Sequence, residues 1–69
     1  MERTPVNSGD IEGIGYDEKS RILEIEFEDG SIIQYSEVPP SEHQGIMNAA
    51  SKMGYLQANI EKRYPFVQL

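Results

Sequence analysis

A chain of 69 residues has room for one domain around one small core, with a stability on the order of 3–5 kcal/mol. It contains no cysteine, which excludes a disulfide framework, a thiolate nucleophile and a cysteine-based zinc site, and an unstapled domain of this size favours the cytoplasm. The net charge of −6 argues against binding nucleic acid by bulk charge, but it is uneven: residues 1–50 carry eleven acidic and three basic side chains, residues 51–69 one and three.

Residues 1–9 are mostly polar and include Pro5, so they read as an N-terminal arm preceding a single domain over residues 10–69. They do not form a signal peptide, and no apolar run approaches membrane-spanning length. Residues 10–17 read as a first strand, in which Gly13 and Gly15 mark a bulge or a close backbone approach. A turn of Asp17, Glu18, Lys19 and Ser20 then leads into a second strand and sets Ile14 opposite Leu23.

The strongest pattern follows. Leu23, Ile25 and Phe27 alternate with Glu24, Glu26 and Glu28, which gives a strand one apolar and one acidic face. Asp29 and Gly30 then separate this strand from Ile32, Ile33, Gln34 and Tyr35, a hairpin signal. A two-residue loop would set Glu24 opposite Tyr35. A three-residue loop of Glu28, Asp29 and Gly30 instead pairs Leu23 with Tyr35 and Ile25 with Ile33, keeps the apolar side chains on one face, and requires positive φ at Gly30. The second register is the expected one.

Pro39 and Pro40 end the sheet and suit a helix start, and Ser41 with Gln44 fits a capping box. A first helix to about Ser51 would carry His43, Ile46, Met47 and Ala50 on one face, with Gly45 marking close packing on the sheet. Lys52, Met53 and Gly54 read as a break. A second helix over residues 55–63 follows, with Leu56, Ile60 and Tyr64 inward and Pro65 as its stop. The apolar residues 66–69 are expected to dock. The fold class is therefore α+β: a three-stranded antiparallel meander followed by two helices packed on one face of the sheet.

Several residues together resemble the KTSC domain. They are Ile14 to Asp17, then Leu23, Ile25 and Phe27, then Gly30 and Tyr35, then Val38 and Pro39, then Ala50 and Ser51, and last Tyr55, Leu56, Gln57, Ile60, Tyr64 and Pro65. That family is named for its occurrence at the C-terminus of some lysyl-tRNA synthetases and also forms small stand-alone proteins. The resemblance spans roughly residues 6–65. It departs from the family pattern where a central Tyr-x-Tyr stands as Ile33-x-Tyr35, an early Ser-Ser as Ser8-Gly9, and a Tyr-Phe-Asn as Tyr55, Leu56 and Gln57, with Gly54 displaced and His43 replacing an aromatic residue. The resemblance implies a small β-meander-plus-helices domain without established activity, suggested to bind RNA.

The chemistry visible in the chain points to binding rather than catalysis. His43 is the only histidine and has no partner set for a metal shell or triad, so it reads as a packed helix residue, and no catalytic residue, metal site or cofactor is expected. Gly13-x-Gly15 lacks the third glycine and the helix of a nucleotide loop. The tyrosines are expected in or beside the core with hydroxyls that find partners. Two surfaces remain. Lys52, Lys62 and Arg63 beside Tyr55 form a small patch for RNA or a protein of RNA metabolism. Ile22, Glu24, Glu26 and Ile32 form a mixed apolar and acidic outer face, solvated unless a basic protein partner or a second copy meets it. The expected function is a small non-enzymatic binding module.

Overall fold

Five strands make one antiparallel sheet in the computed structural model, which describes residues 2–69. They are β1 (Arg3–Ser8), β2 (Ile11–Asp17), β3 (Ile22–Phe27), β4 (Ile32–Tyr35) and β5 (Phe66–Gln68), lying side by side in chain order. Two helices stand between β4 and β5 in the chain: α1 (Pro40–Asn48), and α2 (Lys52–Tyr55), which runs on into a π-helical turn (Leu56–Ile60). The class is α+β, with five strands where three were expected. The segment expected as an arm is β1, and the expected docking tail is β5.

The β3–β4 hairpin has the three-residue register. Leu23 faces Tyr35 and Ile25 faces Ile33, while the Phe27 amide bonds Ser31 O and the Gly30 amide bonds Phe27 O. Gly30 has φ 90°, as the bulge position of such a loop requires. Between β2 and β3 the register differs from expectation by two residues: Tyr16 faces Leu23 and Ile14 faces Ile25, and the turn is made by residues 18–21 with Arg21 at φ 57°. A slip of two keeps every side chain on its own face, so apolar alternation does not select between the two registers. The strand bulges at Glu12, and the extra residue brings both Ile11 and Ile14 inward.

The core lies between the sheet's inner face and the helices. Ile11, Ile14, Leu23, Ile25 and Tyr35 are buried against Val38, Ile46, Leu56 and Ile60. The cap of α1 is Pro39 in extended conformation with Pro40 at the first helical position, so Ser41 is already inside the helix and caps nothing. Proline's fixed φ and missing N–H make a side-chain cap less necessary there. Helix α1 ends at Asn48, and Ser51 opens α2 by accepting the Gly54 amide at 3.1 Å; the expected break at residues 52–54 is the first turn of α2. The Lys52 amide is taken up by Ser8 Oγ at 3.3 Å, which ties α2 to the β1–β2 turn.

Candidate interaction surface

The sheet's outer face is built around one ion-pair cluster. Arg3, Gly15, Glu24 and Gln34 form one row across four strands, and Pro5, Gly13, Glu26 and Ile32 the next. The two glycines leave the face low between β1 and β3. A Cβ on Gly13 would lie 3.4 Å from Arg3 Cβ and 3.6 Å from Glu26 Oε1. Arg3 lies over this depression, donating through Nη1 to Glu24 and through Nε to Glu26 at 3.0 Å. Gln34 donates to the other oxygen of Glu24 at 2.8 Å. Burial alone would push the Glu24 carboxyl up, but Gln34 and the Arg3 guanidinium outweigh it and hold it below the usual range. The expected solvated acid row is therefore corrected: Glu24 is 5% exposed, Glu26 is half-buried, and both are committed to Arg3. Ile22 and Ile32 lie half-buried on the same face.

The expected basic patch is divided. Tyr55 Oη donates to Glu42 Oε1 at 2.6 Å, and Tyr64 Oη donates to the second oxygen of the same carboxylate at 3.0 Å. The Tyr55 ring lies against Gly45 of α1, where a Cβ would come within 2.6 Å of Tyr55 Cζ. Gly45 thus marks the packing of the two helices on each other rather than on the sheet. Lys52 Nζ donates to Ala49 O at 3.0 Å, at the end of α1. Lys62 and Arg63 are exposed in the turns after Ile60. Tyr55 is held by Glu42 and by its packing on Gly45, and Lys52 by a carbonyl, so the patch reduces to Lys62 and Arg63. His43 stacks on Tyr16 with ring centroids 4.7 Å apart, and burial pushes its pKa down.

A third surface was not among those expected. The inner face is fully covered over Ile14, Leu23, Ile25 and Tyr35 but not over the end of β3, the start of β4 or β5. Phe27 and Ile33 remain half-buried, and with Met53 they floor two adjoining hollows of 450 and 370 Å³. Tyr35, Leu56 and Phe66 extend the second hollow, which Gln57, Glu61 and Lys62 also line. The first is rimmed by Asp10, Glu28 and Asp29. Ser31 donates its hydroxyl and amide to Asp29 and holds that carboxyl below its usual range. The result is an apolar groove with an acidic end. Alternation identifies these side chains as apolar, but only the placement of α2 tells which of them stay uncovered.

The model of the KTSC domain matches residues 7–64 of the chain. A lysine–tRNA ligase of Nostoc punctiforme is 37% identical over 59 residues, which are 86% of this chain but 10% of the ligase, so the chain spans about a tenth of that relative's length. An uncharacterized protein of Stutzerimonas stutzeri is 37% identical over 51 residues, 74% of this chain and 72% of that one. The crystal structure of a KTSC domain protein from Yersinia pestis superposes with a TM-score of 0.92 at 39% identity, covering 99% of this chain and 96% of the other.

Proposed function

This chain belongs to the KTSC domain family, and on that footing we propose that it is a non-enzymatic, cytoplasmic binding module whose partner is a segment of another protein. The observation that carries the reading is the groove floored by Phe27, Ile33 and Met53 and closed at one end by Asp10, Glu28 and Asp29. Such a groove suits a segment that inserts a large apolar side chain and sets a lysine or arginine against the acidic rim. The two surfaces expected from the sequence are less available, since Glu24 and Glu26 hold Arg3, and Tyr55 and Lys52 hold internal partners.

A second reading is favoured by one finding, the similarity to part of a lysine–tRNA ligase. In that reading the ligand is RNA and the contacts are Lys62 and Arg63. Two neutralised phosphates on a single strand give a log–log salt slope of about −1.4. The net charge of −6 would keep such binding weak.

One experiment separates the readings. The chain is immobilised and its captured material analysed for both protein and RNA, beside Met53→Glu and a Lys62→Glu/Arg63→Glu double variant. Loss of a discrete protein partner with Met53→Glu supports the groove, whatever the double variant retains, since Lys62 itself lines the second hollow. Capture of RNA that the double variant abolishes and Met53→Glu leaves intact overturns it in favour of the second reading.

A further inference from the structure

We propose that two copies of this chain pair through β5, antiparallel, about a twofold axis passing through Val67. The pairing uses the free backbone edge and the outer face of β5, which adjoin the groove only through the Phe66 side chain, and it stands without the groove.

The inner edge of β5 is fully used. The Ser36 amide bonds Pro65 O at 2.9 Å, the Leu69 amide bonds Ile32 O at 2.8 Å, and Val67 lies opposite Gln34. In an antiparallel ladder the backbone groups of successive residues point to opposite edges. Residues 65, 67 and 69 face β4, so Phe66 and Gln68 present their N–H and C=O outward, with no further strand beyond them among the described residues.

This edge is complementary to itself. A twofold through Val67 sets Phe66 opposite Gln68 of the second copy, and Gln68 opposite its Phe66. Both pairs fall in the hydrogen-bonded position, where each exchanges two bonds. The two Val67 residues meet in the intervening non-hydrogen-bonded position, where side chains approach closest. Val67 and Leu69 lie on the outer face, so the dyad gathers four aliphatic side chains there. The exposures agree: among the described residues the exposed large hydrophobics are Phe66 at 58%, Val67 at 59% and Leu69 at 67%.

The opposite edge of the sheet carries the devices that discourage pairing. Strand β1 has a charged Arg3, Pro5, a register slip between Pro5 and Ser8, and Asn7 at φ 45°. Residues 66–69 have no charged side chain, no proline and no positive φ. Charge selects the same edge for a second copy. Two molecules of net −6 repel, and residues 51–69, with one acidic and three basic side chains, are the part of the chain where copies meet without setting acid against acid. A strand of three residues makes a small contact, so the pairing is weak and concentration-dependent.

The absence of cysteine makes the test direct. In the dyad the two Val67 Cα atoms lie within disulfide reach, whereas the two Phe66 residues are offset by two positions along the strands and are not. Under glutathione redox buffer, Val67→Cys should form a disulfide-linked dimer about ten-fold or more faster than Phe66→Cys or the exposed Lys62→Cys. A mixture of Phe66→Cys and Gln68→Cys should yield mixed dimers that neither gives alone. In the unmodified chain, hydrogen exchange at the Phe66 and Gln68 amides should slow as concentration rises. If Val67→Cys oxidises no faster than Lys62→Cys, or those two amides exchange at a rate independent of concentration, the proposal fails.

Discussion

Two glycines of this domain are constrained for different reasons, and their alanine variants should differ accordingly. Gly30 has φ 90°, and a Cβ added there would meet nothing within 4 Å, so Gly30→Ala incurs only backbone strain and should cost about 1 kcal/mol. Gly45 has no such strain, but a Cβ there would collide with the Tyr55 ring, so Gly45→Ala should cost about 1–3 kcal/mol. Combining Gly45→Ala with Tyr55→Ala should remove most of the steric part, whereas Gly30→Ala should be indifferent to residue 55; chemical denaturation of the single and double variants checks both. The first glycine was legible in the sequence, because Asp29-Gly30 between two alternating runs fixes the turn. The reason for the second was not, since a helical glycine does not reveal which neighbour fills its space. Ser51 carried a readable signal, a serine ahead of Met53, Leu56 and Ile60, but Ser41 with Gln44 offered a more regular capping pattern and proline had already opened that helix.

At the level of elements, β2, β3 and β4 were legible and β1 and β5 were not. The middle strands carry their own apolar alternation. Strand β1 has only Val6 packed against the core and is held in part by Arg3 reaching across Gly13 and Gly15 to carboxylates two strands away. Nothing local in residues 3–8 encodes that reach. Strand β5, with three residues, is too short to display a period. The Arg3 cluster predicts how β1 responds to acid. Glu24 has a lowered pKa when folded, so its contribution is present above the ordinary glutamate pKa and is lost as pH falls through the folded value. Asp17, bonded by Ser20 and the Lys19 amide, and Asp29, bonded by Ser31, act in the same direction. Glu24→Gln should therefore destabilise the domain near neutrality and flatten the acid limb of its stability profile, with Asp17 and Asp29 leaving a residue of pH dependence. Thermal melts from neutral to acid pH measure this; an acid limb as steep in Glu24→Gln as in the unmodified chain would contradict it.

Across the whole molecule the tyrosines act as a set. Burial raises the pKa of Tyr16 and Tyr35, the hydrogen bond to Glu42 that of Tyr55, and burial with Glu42 that of Tyr64. A raised folded pKa means stability present below the unfolded value of about 10 and lost as pH rises through the folded values. The domain should lose stability in alkali, and Glu42→Gln should bring the titration of two tyrosines back toward the ordinary range, as read by phenolate absorbance. The apolar groove with its acidic end and the cation pair after Ile60 also belong to this scale, because each depends on how the helices lie over the sheet rather than on any one segment. One consequence of that layout concerns the order of events in folding. Strands β1 to β4 join neighbours through short turns, but β5 reaches β4 only after both helices have been traversed, with Leu69 bonding back to Ile32. Closure of so long a loop is entropically late, so β5 should be unformed in the rate-limiting transition state. Val67→Ala should then speed unfolding and leave the folding rate nearly unchanged, as stopped-flow measurements would reveal. Until that last strand arrives, the exposed edge is β4, and a chain interrupted at that stage bares Ile32, Ile33 and Tyr35 to its neighbours during synthesis.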